Sequence, residues 1–205
     1  MIFPKSEYKV LKLIYENPSI TLSELIKRAR VSAATAKRRL DHLLSSEIIT
    51  EKKVIGGKRV LLRNFYPNLF SEEGKNTFSL IESEKKQEFF KKNKSLIGPF
   101  RQVLKNIKMA GKGKIKIVLV FGSFATYSQV KDSDLDILFL SSGEINKEDL
   151  KKEVERSFIT FNYEISPRID TLKNFKVNID KGIYQTIVKN HIIIKGSLDF
   201  IRLIS

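Results

Sequence analysis

The sequence contains no cysteine and no tryptophan, and it has only two histidines, His42 and His191. The lack of cysteine excludes disulfides and cysteine-ligated zinc, and two histidines are too few for a histidine-rich metal site. No run of residues approaches the roughly 18 apolar residues of a membrane span. The start, MIFPKSEYKV, lacks the apolar core of a signal peptide. These absences predict a cytoplasmic protein with no membrane partner.

Acidic residues are too few to balance the basic ones. The 205 residues include 38 Lys and Arg against 23 Asp and Glu, which gives a net charge of +15. Residues 1–65 carry 14 basic and 6 acidic residues and residues 66–114 carry 11 and 5, whereas residues 115–205 carry 13 and 12. The basic excess therefore lies before residue 115, where it predicts contact with a polyanion.

The first 45 residues contain three stretches with apolar residues at helical spacing. We expect the first helix over 6–17, with Ser6 as its N-cap. The second begins after Thr21, which forms a capping box with Glu24 three residues on. The third helix runs from its cap Ser32 to about residue 45. We expect its buried stripe to comprise Ala36, Leu40, Leu43 and Leu44, and its exposed face to comprise Ala33, Ala34, Lys37, Arg38 and Asp41.

Two β-rich runs follow these helices, Ile48–Val54 and Arg59–Asn64. They flank Gly56-Gly57, and two glycines between such runs predict a β-hairpin. Three helices followed by a hairpin indicate a winged helix-turn-helix. The segments TLSELI and VSAATAKRRLDHL within 19–49 resemble the winged-helix transcription regulators.

The resemblance implies that the third helix enters the major groove of double-stranded DNA and that the hairpin, the wing, lies along the backbone. It implies that Thr35, Lys37 and Arg38 approach bases or phosphates. It implies phosphate contacts for three wing residues, Lys53, Lys58 and Arg59. Winged helices also serve as protein-interaction or dimerisation modules, and that alternative stays open.

A second pattern runs from Lys116 to Leu140, KIVLVFGSFATYSQVKDSDLDILFL. An apolar, β-branched run ends at Gly122-Ser123, and a polar loop then leads through Ser133 to a second apolar run. Asp134 and Asp136 project to the same side of that second strand because strand side chains alternate. Two neighbouring carboxylates repel each other unless a cation lies between them, and divalent ions such as Mg²⁺ prefer such oxygens. The alternative is that these polar residues only form a turn.

This pattern resembles the nucleotidyltransferase signature of DNA polymerase beta, kanamycin nucleotidyltransferase and the minimal nucleotidyltransferases. Gly122, Ser123 and Ala125 in the loop and the Ser-Asp-x-Asp that ends at Asp136 stand at the offsets of that family. Tyr127 replaces the glycine usual in the loop, and a positive φ there is expected to strain a tyrosine. The resemblance covers roughly residues 99–205.

The resemblance implies a nucleotidyl transfer from a nucleoside triphosphate (NTP) to an acceptor, with release of pyrophosphate. Asp134 and Asp136 are implied as catalytic ligands of two Mg²⁺ ions, and Gly122 and Ser123 as nucleotide-binding residues. A third catalytic carboxylate is often supplied by the next strand, expected over Phe158–Ser166, where Glu164 is the candidate; a solvated strand-edge glutamate is the alternative. Asp170 is expected to cap the helix that follows.

These patterns together predict an α+β chain, with an N-terminal winged helix domain and a C-terminal nucleotidyltransferase-type mixed sheet flanked by helices. The expected boundaries are 1–66 for the first domain, 67–98 for a helical connector and 99–205 for the second domain. Two functions remain open. One is a DNA-binding nucleotidyltransferase that acts on a protein, RNA or small-molecule acceptor. The other is a transcription regulator whose second domain only senses a nucleotide or forms a homodimer.

Overall fold

The computed structural model describes residues 3–56, 59–111, 113–131, 133–159, 161 and 163–205, without the side chains of residues 59, 60, 109 and 110. Its contacts divide the chain into two units, residues 1–81 and residues 82–204. The division falls inside a helix that the sequence assigned to the connector. Within the described residues, no helix is both long and apolar enough to cross a membrane.

Within its described residues, the first unit contains three complete helices, the start of a fourth and a small antiparallel sheet. Its elements are α1 (Lys5–Glu16), β1 (Ile20–Thr21), α2 (Leu22–Ala29), α3 (Ala33–Ser45), β2 (Ile49–Gly56) and β3 (Arg59–Pro67). The sheet order is β1-β3-β2, and β2 and β3 form the expected wing hairpin. Gly57 and Lys58, at the predicted turn, lie outside the described residues. This arrangement is the winged helix-turn-helix that the sequence predicts.

Two of the three helix caps predicted for the first unit are confirmed. Thr21 Oγ1 accepts from the Glu24 amide at 3.2 Å and Glu24 Oε2 accepts from the Thr21 amide at 3.0 Å, which completes the capping box. Ser32 Oγ accepts from the Thr35 amide at 3.1 Å. The prediction for Ser6 was wrong, because α1 already begins at Lys5 after Pro4 and proline suits a helix start.

Helix α3 presents the two faces that the spacing predicts. Ala36, Leu40 and Leu43 are fully buried, whereas Leu44 is only half-buried. The opposite face is exposed along its whole length and comprises Ala33, Ala34, Lys37, Arg38 and Asp41. The periodicity of 3.6 residues therefore sets which side of α3 remains free for a partner.

Helix α4 (Glu72–Lys92) crosses the division between the units, and a 3₁₀ turn (Lys94–Leu96) follows it. The second unit then continues through α5 (Ile97–Ala110), β4 (Ile115–Val120), α6 (Gly122–Thr126), β5 (Leu135–Ser141), α7 (Lys147–Ile159), β6 (Ile165–Thr171), α8 (Leu172–Val177), α9 (Gly182–Lys189), β7 (Ile192–Lys195) and α10 (Ser197–Ile204). The strand order is β6-β5-β4-β7, with β5 and β6 parallel and the other pairs antiparallel. This is the expected mixed sheet flanked by helices.

Strand β5 contributes to the apolar core on both faces of the sheet. Leu135, Ile137 and Phe139 pack in one core with residues of α5 and α7. Leu138 and Leu140 pack in the other core with residues of α8, α9 and α10. Because side chains alternate along a strand, Asp136 stands on the same face as Leu138. The two cores thus fix the direction in which the carboxylate of Asp136 projects.

The third strand of this sheet lies further along the chain than predicted. Residues 147–159 are helical because Leu150, Val154 and Phe158 form one buried helical stripe, and the strand is β6. Pro167 lies inside β6 rather than at its end. Strand β6 is at the edge of the sheet, and an edge strand tolerates a proline because one side needs no backbone donor.

This shift also changes the role of Asp170, which does not cap the following helix. Thr171 is the N-cap of α8, and its Oγ1 accepts from the Asn174 amide at 3.1 Å. Asp170 is a buried residue of β6 instead. Its carboxylate accepts hydrogen bonds from the Asn174 side chain at 2.7 Å and from the Tyr184 hydroxyl.

Candidate functional site

The Gly-Ser motif lies at the end of β4, directly beside the second acidic residue of the Asp-x-Asp motif. Gly122 has φ +68°, and a Cβ at this position would overlap Asp136 Oδ2 and lie 3.2 Å from Asp136 Cγ. The backbone amide of Phe121 donates to the Asp136 carbonyl at 3.1 Å. Glycine is therefore required at position 122 for two reasons: the backbone has a left-handed conformation, and the carboxylate of Asp136 occupies the space of a Cβ.

The carboxylate of Asp136 is in an environment that disfavours its charge. It is half-buried, whereas Asp134, just before β5, is exposed. Burial and the negative charge of Asp134 raise the pKa of Asp136 above its ordinary value, although a hydrogen bond from Ser166 and the charge of Arg168 act in the opposite direction. A bound cation would relieve both unfavourable effects. The pair therefore fits a divalent cation such as Mg²⁺.

The loop after Gly122 keeps a tight turn despite its tyrosine. Tyr127 ends the short helix α6 with φ 57° and ψ 31°, and its amide donates to the carbonyl of Ser123. Lys92 Nζ lies 3.9 Å from the centre of the Tyr127 ring. A left-handed non-glycine residue costs about 1–2 kcal/mol, and a cation–π contact of about 0.5–1 kcal/mol offsets part of this. The expected positive φ is thus present and is accommodated.

The sequence-predicted residues of this site are only partly brought together. Gly122, Ser123, Asp134 and Asp136 lie at adjacent ends of β4 and β5. Glu164 is exposed just before β6, and its carbonyl accepts from the Leu135 amide at 3.0 Å. Among the described residues, no group of three or more His, Asp or Glu side chains could hold a metal ion. The catalytic role of Glu164 remains a prediction.

Two residues that face Asp136 from β6 were missed from the sequence. Asp136 is opposite Ser166 and Leu138 is opposite Arg168 in the parallel register, so that both β6 side chains project to the face of Asp136. The signal was present as an alternation, because Ile165 and Ile169 pack against the core while Ser166 and Arg168 are exposed. Ending the strand at Ser166 concealed it.

On the winged helix, the basic side chains of α3 form two groups, one that contacts Glu7 of α1 and one that is exposed. Arg39 Nη1 lies 3.2 Å from one carboxylate oxygen of the buried Glu7, and His42 Nδ1 lies 3.2 Å from the other. Lys37 and Arg38 are exposed and make no ion pair within the described part of the chain. The latter two cations are therefore available to an anionic partner, whereas Arg39 and His42 attach α3 to α1.

Other residues implied in DNA contact differ in how accessible they are. Thr35 is half-buried, and its hydroxyl accepts from Ser32 Oγ at 2.9 Å. Lys53 is exposed but pairs with Glu51 at 2.9 Å. Lys58 and the side chain of Arg59 lie outside the described residues. Among the side chains of the wing that the structure describes, Val54, Ile55, Leu61 and Leu62 are exposed apolar ones.

Comparison with known families agrees with both domains. Residues 4–50 match the winged helix-turn-helix DNA-binding family, and residues 103–198 match the polymerase beta nucleotidyltransferase family. The N-terminal part of the chain is therefore similar to winged helix-turn-helix DNA-binding domains, and the C-terminal part is similar to polymerase beta-type nucleotidyltransferases. A search of curated proteins gives no match.

Solved structures with partial similarity include three proteins. The transcriptional regulator SlyA is 21% identical with a TM-score of 0.35, over 47% of this chain and 62% of that chain. A toxin–antitoxin structure with AMP-PNP is 15% identical with a TM-score of 0.39, over 51% of this chain and 81% of that one. A candidate nucleotidyltransferase from Sulfolobus solfataricus is 19% identical with a TM-score of 0.28, over 48% and 84%. These TM-scores are too low to assign a function.

Proposed function

We propose that the protein is a DNA-binding nucleotidyltransferase that transfers a nucleotidyl group from an NTP to an acceptor hydroxyl. The packing of Asp136 against Gly122, with Asp134 beside it, is the observation that carries this proposal. Such a packing brings the loop that begins at Gly122-Ser123 close to the two carboxylates. An NTP bound there would have its phosphates next to residues able to hold their counter-ion.

In the proposed reaction, each residue of the site has a separate role. The Ser123 hydroxyl and amide are donors for the β- or γ-phosphate of the NTP. Asp134 and Asp136 would hold Mg²⁺, which supplies neutralisation of the phosphate charge and activation of the acceptor oxygen. The acceptor oxygen forms a bond to the α-phosphorus, and the bond from that phosphorus to the β-phosphate oxygen breaks. Pyrophosphate leaves with the electron pair, and the hydroxyl proton passes to water.

In this proposal the winged helix directs the enzyme to double-stranded DNA. The exposed, unpaired cations Lys37 and Arg38 on α3 support DNA binding, and so does the basic excess of residues 1–65. Thr35, Lys53, Lys58 and Arg59 remain proposed contacts. The acceptor is a protein, an RNA or a small molecule.

A second candidate is a regulator that binds an NTP and does not turn it over. The observation that favours it is the lack of an acid on β6 at the two positions that face this site, where Ser166 is opposite Asp136 and Arg168 is opposite Leu138. The exposed apolar wing residues would suit a homodimer of such a regulator. This candidate keeps the same nucleotide site and the same DNA-binding surface.

The experiment that tests the proposal measures NTP binding and pyrophosphate release separately. The full chain is incubated with Mg²⁺, each labelled NTP and candidate acceptors that include the protein itself and RNA. We expect binding and release, with release lost in Asp136→Asn and kept in Asp180→Asn, which removes an exposed charge of the same type. Binding without release would favour the regulator, and no binding of any NTP would contradict both candidates.

A further inference from the structure

Arg168 is a cation on the face of the sheet that carries the acidic pair. The parallel register pairs Arg168 with Leu138, two residues along β5 from Asp136. Side chains two positions apart on a strand share a face, so Arg168 and Asp136 project to the same side. The charge of Arg168 lowers the pKa of both Asp136 and Tyr184, which agrees with a guanidinium on this face of the sheet.

The guanidinium of Arg168 is not used by the fold. Arg168 is exposed, and its side chain makes no ion pair or hydrogen bond with the part of the chain that the structure describes. The nearest acid on the same face of β6 is Asp170, which is buried and already accepts hydrogen bonds from Asn174 and Tyr184. Arg168 therefore retains its donors for a ligand, and its planar fork matches the oxygens of a phosphate.

Arg168 and Ser123 lie on opposite sides of Asp136. Strand β5 lies between β4 and β6 in the sheet, Ser123 follows β4, and Arg168 is on β6. In an in-line displacement at phosphorus, the attacking and leaving oxygens are at opposite ends of the reacting group. If Ser123 holds the leaving pyrophosphate, as the proposed function has it, the attacking hydroxyl enters from the side of β6.

We propose that Arg168 binds a phosphate group of the acceptor and so selects a nucleotide-type acceptor, in which a sugar hydroxyl lies near a phosphate. This inference rests on the proposed function and names its acceptor class. The reaction stays the same: the sugar oxygen bonds to the α-phosphorus, pyrophosphate leaves with the electron pair, and the hydroxyl proton passes to water. An acid at position 168 would repel such an acceptor, whereas the arginine and the neutral Ser166 accept it.

The test compares Arg168→Gln and Arg168→Lys with Arg101→Gln in the full chain. Arg101 is an exposed arginine on α5, which packs on the other face of the sheet. The acceptors are adenosine 5′-monophosphate and an RNA hexamer with a free 3′ hydroxyl, with adenosine and a tyrosine peptide as phosphate-free acceptors. We expect Arg168→Gln to raise KM for the phosphate-bearing acceptors about tenfold or more. Arg168→Lys should have a smaller effect, and Arg101→Gln none.

Two further readouts separate this inference from the proposed function. The Kd for an NTP with Mg²⁺ should be unchanged in Arg168→Gln, because the NTP phosphates lie on the side of Ser123. The Kd for adenosine 5′-monophosphate alone, measured without NTP, should rise in that variant. This second result would support an acceptor phosphate site even if the parent protein bound no NTP, in which case only the proposed function would fail.

Several results would overturn the inference. An unchanged KM for both phosphate-bearing acceptors in Arg168→Gln would show that Arg168 only balances the charge of Asp136. If Arg168→Gln weakens the binding of the NTP and leaves the binding of the acceptor unchanged, Arg168 contacts the NTP and not the acceptor. If adenosine or the tyrosine peptide accepts the nucleotidyl group as efficiently as the phosphate-bearing acceptors do, the acceptor is not selected by its phosphate. If the KM rises for the RNA hexamer and not for adenosine 5′-monophosphate, the inference holds and the acceptor class is narrowed to the ends of nucleic acids.

Discussion

Gly122 leaves open the space that the carboxylate of Asp136 occupies. A Cβ at Gly122 would overlap Asp136 Oδ2, while the Asp136 Cβ, at 3.5 Å, would be in ordinary van der Waals contact. The conflict therefore involves only the carboxylate. The glycine of one motif and the aspartate of the other are thus parts of a single packing arrangement, although fourteen positions separate them in the sequence.

The first prediction concerns Gly122→Ala, with Gly113→Ala as its control. Gly113 has a similar φ of +73°, but nothing lies within 4 Å of a Cβ there. Gly113→Ala should therefore lower the free energy of unfolding by about 1–2 kcal/mol, the cost of the left-handed conformation alone. Gly122→Ala should cost about 1–3 kcal/mol more, because the new methyl group overlaps the carboxylate. Denaturant unfolding of both variants gives these values.

A double-mutant cycle identifies the source of that extra cost. Asp136→Ala removes the carboxylate and leaves only the Cβ, so Gly122→Ala should cost about as much as Gly113→Ala in that background. Equal costs of Gly122→Ala with and without the carboxylate would contradict the packing described here. The same cycle serves as a structural control for every activity measured on Asp136 variants.

The second prediction is that Asp136→Asn separates activity from stability. Loss of one metal-holding carboxylate should lower nucleotidyl transfer by about a hundredfold or more. The free energy of unfolding should stay equal or rise, because the amide removes a charge that burial and Asp134 disfavour. Thermal unfolding and pyrophosphate release on the same preparation check both statements. A variant that is inactive and clearly less stable would contradict the prediction.

The pH dependence of this effect has a defined sign. The pKa of Asp136 is raised in the folded state, so the folded protein binds this proton more tightly than the unfolded chain does. The contribution of Asp136 to the free energy of unfolding should therefore fall as the pH rises from the ordinary value of 3.8 through the raised value, and then level off. The advantage of Asp136→Asn should be full at neutral pH and should vanish below pH 3.8.

The parts of the fold predicted correctly are those whose signals are local. The capping box of Thr21 and Glu24 and the cap Ser32 depend on residues three positions apart. The predicted strand Lys116–Gly122 matches β4 within two residues because an apolar, β-branched run ended by glycine is enough to identify it. These signals also predicted the strand that contains Asp136, although Asp134 lies just before its first residue.

The parts that the sequence could not supply depend on strand order and on distant contacts. Pro167 indicates the end of a strand unless the strand is known to lie at the sheet edge, which only the topology reveals. Because the predicted strand ended at Ser166, neither Ser166 nor Arg168 was recognised from the sequence as a residue on the face of Asp136. Likewise, nothing local indicates that Glu82 on α4 meets His191, because the two residues are brought together only by the packed second unit.

The third prediction concerns this buried cluster. Glu82 is fully buried, with His191 Nε2 at 3.3 Å and Lys85 Nζ at 2.9 Å from its Oε1. His191 Nδ1 lies 2.8 Å from the Ile187 carbonyl, which can only accept, so Nδ1 carries a proton. Burial alone would raise the pKa of Glu82, but His191 and Lys85 outweigh it and lower the pKa to about 2.

Glu82→Gln should lower the free energy of unfolding at pH 7 by about 3–5 kcal/mol, because it removes the negative charge from a buried cluster of hydrogen-bonded polar groups. Since the pKa of Glu82 is lowered from 4.5 to about 2 in the fold, its contribution is present above pH 4.5 and lost as the pH falls toward 2. The difference between parent and variant in urea unfolding should shrink over that range. The exposed Glu148→Gln should show no such pH-dependent difference.

The last prediction concerns DNA binding by α3. Replacing both Lys37 and Arg38 with alanine should weaken binding of the full chain to duplex DNA, by about 1–3 kcal/mol if either side chain reads a base. The matched control is Lys105→Ala with Lys108→Ala, which removes two exposed cations from α5. Titration of labelled duplex at several salt concentrations should give a steep salt dependence for the parent, because phosphate contacts release counter-ions, and a shallower one for the α3 variant. If both variants weaken binding equally, the effect is one of net charge, and if the parent binds no duplex at low salt, the winged helix serves protein contacts instead.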